Sequence, residues 1–299
     1  MTGANLFPGF RRATIDAESV AVNLVTGGSG PPLLLLHGYP QTHALWHKVA
    51  PRLAQRFTIV APDLRGYGDS GKPTTDAQHA PYAKRAMARD LVLAMRALGH
   101  SRFFLAGHDR GGRVSHRLAG DHPDAVARLA VLDISPTLAM YERADMAFAR
   151  AYWHWFFLIQ PAPIPERMIG ADPGFYLRRK MGDGSAGMTP FAPEAWVEYE
   201  RCFTPETIHA SCEDYRAAAT IDLEHDRADR EAGRRLACPL LVLWGLHGVI
   251  EKCFTPLADW GAVASSVQGR ALPAGHYLPE EVPSLVADEF ERFFTEKSL

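Results

Sequence analysis

The segment Gly107-His108-Asp109-Arg110-Gly111 sets a carboxylate between small residues. It follows the apolar run 103–105 directly, and a helical pattern starts near Arg110. Strand, tight turn and helix in that order make a nucleophile elbow, whose central side chain is lifted clear of the sheet. Attack by an Asp109 carboxylate on an acyl carbon would give a labile anhydride. Attack on an alkyl carbon gives an ordinary ester that water can hydrolyse at its carbonyl. The substrate should therefore carry its leaving group on sp³ carbon, as alkyl halides and epoxides do.

Arg110 and Arg113 narrow that choice. Three positions apart, they can share the first turn of one helix and face the pocket beside Asp109. Cations are electrostatically disfavoured at a helix N-terminus. As ordinary helical arginines they would pair with acids such as Asp90 or Asp121. A substrate carboxylate clamped between two guanidinium groups gives a functional reason for both, with its α-carbon set against Asp109 for in-line displacement. The substrate expected on that reading is a short 2-haloacid.

The elements that must position these residues are legible as a pattern. Apolar runs bounded by turn residues recur at 33–36, 57–61, 103–106, 129–132 and 240–244, most with amphipathic stretches between them. This alternation predicts an α/β fold, a mostly parallel sheet with helices on both faces. Residues 13–25 read as an antiparallel edge ribbon, and helices are expected at 42–54, 84–98, 110–121 and 279–295. The stretch 137–226 is rich in Trp, Tyr, Phe, Pro and Met and reads as an inserted helical cap over the strand ends, where open sheets bind ligands. The core is then 1–136 and 227–299.

Bulk properties exclude several classes. With 32 Lys+Arg against 34 Asp+Glu in 299 residues, net −2, there is no basic stripe for nucleic acid or anionic lipid. No signal-peptide pattern and no membrane-length apolar window is present, so a cytoplasmic protein is expected. Cys202, Cys212, Cys238 and Cys253 lack metal-ligand spacing and read as reduced thiols. No cofactor and no metal is called for.

Beyond the elbow, His37-Gly38-Tyr39-Pro40 follows the first core run, Asp63-Leu64-Arg65-Gly66-Tyr67-Gly68 follows the second, and Ala274-Gly275-His276-Tyr277-Leu278-Pro279 lies near the end. In these motifs the chain resembles the α/β-hydrolase family over almost its whole length, with Asp109 where esterases and lipases carry Ser. The resemblance implies that His276, between the last strand and the final helix, activates the hydrolytic water. An acid must hold its tautomer. Asp133, one helix, a turn and a strand past Asp109, is the expected acid; Glu251 is the alternative. Backbone amides of Arg110 and of the segment after His37-Gly38 are placed to receive the oxyanion.

Fluoride leaves carbon only when hydrogen-bond donors converge on it. Tyr152-Trp153-His154-Trp155 and Asp214-Tyr215-Arg216 supply such donors. With Gln160-Pro161-Ala162-Pro163 and Gly-His-Asp-Arg-Gly-Gly-Arg, these segments are similar to those of fluoroacetate dehalogenases, which implies a halide pocket on His154, Trp155 and Tyr215 and a homodimer. Tyr39 reads as an aromatic pocket wall, and Trp153 as packing. A further cap tryptophan expected after Phe175-Tyr176 is missing from 180–189, KMGDGSAGMT, which leaves fluoro-, chloro- and bromoacetate unranked. Epoxide hydrolases share the Asp–His–Asp chemistry but carry Trp where Arg110 stands. A carboxylate-binding sensor that keeps the arginines is a third reading, and halide release separates it from an enzyme.

Overall fold

The leucine-rich runs become the interior strands of a single sheet. The computed structural model describes residues 6–296, and its eight strands are β1 (Arg11–Asp16), β2 (Ala21–Gly27), β3 (Pro32–Leu36), β4 (Thr58–Pro62), β5 (Phe103–His108), β6 (Val126–Leu132), β7 (Leu240–Gly245) and β8 (Val267–Leu272). Their order is β1-β2-β4-β3-β5-β6-β7-β8. The β1–β2 and β2–β4 pairs are antiparallel, as the ribbon reading of 13–25 expects, and the remaining pairs are parallel. Successive residues of β3 face opposite cores. Leu34 and Leu36 pack into one, Leu33 and Leu35 into the other. A strand covered on both faces reads as a continuous apolar run instead of an alternation.

β8 escapes that criterion. As an edge strand it reads Val-Gln-Gly-Arg-Ala-Leu, with Gln268 and Arg270 exposed, so no apolar run marks it.

The core helices are α1 (Ala50–Leu53), α2 (Lys84–Ala97) and α3 (Arg110–Asp121). The single helix expected over 42–54 is instead a 3₁₀ turn at His43–Trp46 followed by α1, because Pro51 offers no N–H to continue a helix through it. The named elements between β6 and β7 are all helices: α4 (Thr137–Glu142), α5 (Met146–Ala151), α6 (Trp153–Leu158), α7 (Ile164–Ala171), α8 (Pro173–Asp183), α9 (Pro193–Cys202), α10 (Pro205–Ala219) and α11 (Ile221–Glu231). The C-terminal part adds α12 (Val249–Cys253), α13 (Pro256–Gly261), α14 (Leu278–Glu281) and α15 (Pro283–Thr295). Pro283 splits α14 from α15 where one helix over 279–295 is expected.

Because β3, β5, β6, β7 and β8 run parallel, the loops after them emerge along one edge of the sheet. His37 braces this edge, accepting the Leu64 N–H at Nε2 (2.9 Å) while Nδ1 meets the Gly38 carbonyl (3.0 Å). Burial lowers its pKa, which suits the neutral ring these two contacts require.

Candidate active site

β5 ends at His108 and α3 begins at Arg110, leaving Asp109 alone in the turn at φ 48° and ψ −115°. That backbone is strained for any residue bearing a Cβ, and the surroundings must hold it. The flanking glycines explain how the turn closes. A Cβ on Gly107 would meet Gly111 O at 2.4 Å, and one on Gly111 would meet His37 O at 2.3 Å.

Asp109 Oδ1 accepts the Tyr39 backbone N–H at 2.9 Å, while Oδ2 lies 3.8 Å from His276 Nε2. On the far side of the ring, His276 Nδ1 is 2.6 Å from Asp133 Oδ2, and Asp133 Oδ1 accepts the Gly245 N–H at 2.9 Å. A carboxylate at Nδ1 assigns the proton there and leaves Nε2 as the accepting nitrogen. Glu251 is engaged elsewhere, accepting the Trp244 indole N–H. Burial alone would raise the Asp109 pKa, but the neighbouring His276 and His108 rings and the Arg113 and Arg110 guanidinium groups outweigh it and hold the group at about 2. It is ionised at neutral pH.

The two arginines differ. Arg110 is fully buried and forks onto Asp214, with Nε 3.0 Å from Oδ2 and Nη2 2.6 Å from Oδ1, leaving Nη1 without a partner. Asp214 also takes the Lys84 ammonium and, at 2.6 Å, the Tyr67 hydroxyl. The pairs weighed from sequence are filled by others, since Arg65 holds Asp90, and Arg85 and Arg117 hold Asp121. Breaking a buried pair like Arg110–Asp214 costs about 3–5 kcal/mol, because it strands a charge. Among the described residues Arg113 meets only neutral acceptors, Ser135 O (3.2 Å), Thr137 Oγ1 (3.0 Å) and Met140 Sδ (3.2 Å), and its Nε is unpartnered.

Above Asp109 sit side chains of α6 and α10. Arg110 lies 4.1 Å over the Tyr215 ring, and Arg113 lies 4.6 Å over Trp155. The His154, Trp155 and Tyr39 rings all approach Tyr215, at 5.9, 6.3 and 5.4 Å between centroids. Trp155 Nε1 and the Tyr215 hydroxyl are buried without hydrogen-bond partners. Burial, with the Asp109 charge behind it, holds the Tyr215 pKa well above the phenol range, so the hydroxyl remains a donor. Burial and the Lys180 charge push His154 well down, so its ring is neutral. Tyr39 lies under this cluster with its hydroxyl on that of Tyr176 (3.0 Å), and Trp153 is 40% exposed.

A cavity of about 410 Å³ reaches His276 and His154 and is lined also by Tyr152, Lys180, Gly184 and His247. Three contributors have roles that the local sequence does not assign: Asp214 as the counter-charge of Arg110, Tyr152, whose hydroxyl lies 3.3 Å from His276 Nδ1, and Lys180. Asp214 and Tyr152 stand in the two donor segments that the motifs single out, and Lys180 stands in neither. Among the described residues, one group has metal-holding spacing, Glu166, His209 and Glu213. The Arg216 guanidinium already bridges its two carboxylates at 2.7 and 2.6 Å.

Among the described residues no helix is long and apolar enough to cross a membrane. The family described as alpha/beta hydrolase fold matches residues 31–281. A fluoroacetate dehalogenase of Burkholderia sp is 48% identical over 293 residues, covering 97% of this chain and 96% of that protein. A soluble epoxide hydrolase of Corynebacterium sp. (strain C12) is 36% identical over 280 residues, covering 91% and 93%. A crystal structure from Nostoc sp PCC 7120, described as an alpha/beta hydrolase, matches with TM-score 0.95 and 52% identity, covering 96% of this chain and 99% of that one.

Proposed function

The chain belongs to the α/β-hydrolase family, and from that premise we propose that it hydrolyses short 2-haloacids, converting fluoroacetate or other haloacetates to glycolate and halide. One observation carries the reading. Around an ionised Asp109, the buried donor atoms that lack partners among the described residues include Arg110 Nη1, Arg113 Nε, Trp155 Nε1 and Tyr215 Oη. Buried donors left unpaired each cost roughly 1–3 kcal/mol. An anion with a carboxylate at one end and a halogen at the other would satisfy all four.

In the first step Asp109 Oδ2, the oxygen not held by Tyr39 N–H, attacks the α-carbon. The C–O bond forms as the carbon–halogen bond breaks, and the halide leaves with the bonding pair toward His154, Trp155 and Tyr215. Arg110 and Arg113 hold the carboxylate in line. In the second step His276 Nε2 takes a proton from water, and the hydroxide adds to Asp109 Cγ. The oxyanion develops on Oδ1, already beneath the Tyr39 amide. As the Cγ–O bond to the product breaks, His276 returns its proton to the departing glycolate oxygen, and the Asp109 carboxylic acid so formed loses its proton to solvent. Asp133 keeps the ring oriented and stabilises the imidazolium. The helical stretch 137–226 acts as the cap that excludes water from the first step.

A second reading, epoxide hydrolysis, draws support from two tyrosines, Tyr152 and Tyr215, on the same side of Asp109 and from the 36% identical relative. Arg113, a buried cation that forms no ion pair among the described residues, disfavours a neutral substrate. Fluoride, chloride and diol release from fluoroacetate, chloroacetate and a small epoxide, measured side by side, decide the matter. Diol without halide would overturn the haloacid assignment, and no turnover of any of the three would favour a carboxylate-binding sensor. The resemblance further implies a cytoplasmic homodimer, and light scattering on the purified protein tests the dimer.

A further inference from the structure

Lys180 lies on α8 at 8% exposure and lines the cavity that reaches His276 and His154. Its ammonium stands 6.0 Å from the Tyr39 ring centroid and 5.9 Å from that of Tyr277. Among the described residues it forms no ion pair with a carboxylate, unlike Lys84, which pairs with Asp214 and Asp222. Burial draws its pKa down to about 8 against the pull of Asp109, Asp183 and Asp133, so it is mostly charged at neutral pH. The segment is anchored where it stands. The Gly184 carbonyl, just past the end of α8, accepts the His276 backbone N–H at 2.7 Å, and a Cβ on Gly275 would meet that carbonyl oxygen at 2.7 Å.

Arg150 and Lys252 line the cavity too, against the acids Asp183 and Glu281, so that with Lys180 the lining carries an excess of one cation. Asp183 pairs with Arg179 at 3.0 Å, and Glu281 accepts the Gly275 and Tyr277 amides at 2.8 and 2.9 Å.

Building on the haloacid reading, we infer that Lys180 is a specificity-determining residue for anionic substrates, drawing the carboxylate through this cavity toward Arg113 without taking part in the displacement. A fixed cation on the wall of a narrow, low-dielectric passage raises the local concentration of an anion and its rate of entry, and added salt screens that effect.

The test compares wild type, Lys180→Met and Lys180→Arg with chloroacetate at low and high ionic strength, set with sodium sulfate. Lys180→Met should raise KM about tenfold at low ionic strength, with kcat falling far less. The gap from wild type should shrink at high salt, and Lys180→Arg should recover most of the loss. An unchanged KM in Lys180→Met, or a rise that salt leaves undiminished, overturns the inference, because packing alone ignores ionic strength. If Lys180→Met does not fold by circular dichroism, Lys180→Gln is held to the same criteria. Wild type releasing no halide defeats the underlying reading instead, so the two failures are distinguishable.

Discussion

The site has a floor and a roof, and they are built on opposite principles. The floor, on loops after parallel strands, is closed upon itself: Tyr39 N–H holds Asp109, Asp133 holds His276, and Gly245 N–H holds Asp133. The roof, on α6 and α10, leaves Trp155 Nε1 and Tyr215 Oη unpaired above Arg110 Nη1 and Arg113 Nε. A preorganised floor suits groups that must react in one geometry. A roof of unpaired donors suits groups that wait for an anion to complete them. On the proposed mechanism the difference separates chemistry from selection, and single substitutions on each side should fail in different ways.

The largest effect should come from the floor. Asp109→Asn removes the nucleophile and should cut halide release by about 10⁴-fold; near-normal release would end the proposal. His276→Asn should slow ester hydrolysis by about 10³-fold while the first displacement proceeds. Intact-protein mass spectrometry should then show one substrate-derived adduct on Asp109, and steady turnover with no adduct would remove His276 from the base role.

On the roof, Trp155→Phe deletes one donor. Fluoride release should fall by about 10²-fold and bromide release far less, since bromide needs little hydrogen bonding to leave. Equal losses for the two halides would mean that Trp155 only packs. Between the two layers, Arg113→Ala should raise KM by about 10–100-fold, the magnitude of a lost charge-assisted contact, and unchanged kinetics would remove the carboxylate clamp. The smallest effect belongs to Tyr39→Phe. The substitution loses the Tyr176 contact but keeps the backbone donor, so kcat should stay within about threefold. A much larger loss would give the Tyr39 hydroxyl a part in the chemistry.

Local patterns carried much of the fold. Residues 110–121 read as a helix to the residue, because the elbow marks its start and Val114 and Leu118 recur at helical spacing. β8 went unread, since an edge strand half in solvent need not be apolar, and the break at Pro51 was covered by a periodicity that runs across it. In the site, residue types around Asp109 nominated the candidates. Lys180 carries no such mark, since nothing in KMGDGSAGMT says that a lysine there is buried. The expected tryptophan is missing from that segment, and the structure finds there the Gly184 carbonyl that holds His276.

The sequence by itself determined a carboxylate at a strained turn, and with it the proposal of attack on alkyl carbon, because both depend on neighbours within a few residues. Only the tertiary structure decided which charges are balanced. Arg110 finds Asp214 across 104 positions, while Arg113, one helical turn away, finds no carboxylate. Helical spacing sets where a side chain leaves the backbone, whereas its partner is set by which distant element packs against it. In this protein that packing leaves Arg113 a buried cation beside Asp109, with no carboxylate in ion-pair range among the described residues. The proposed substrate would supply one.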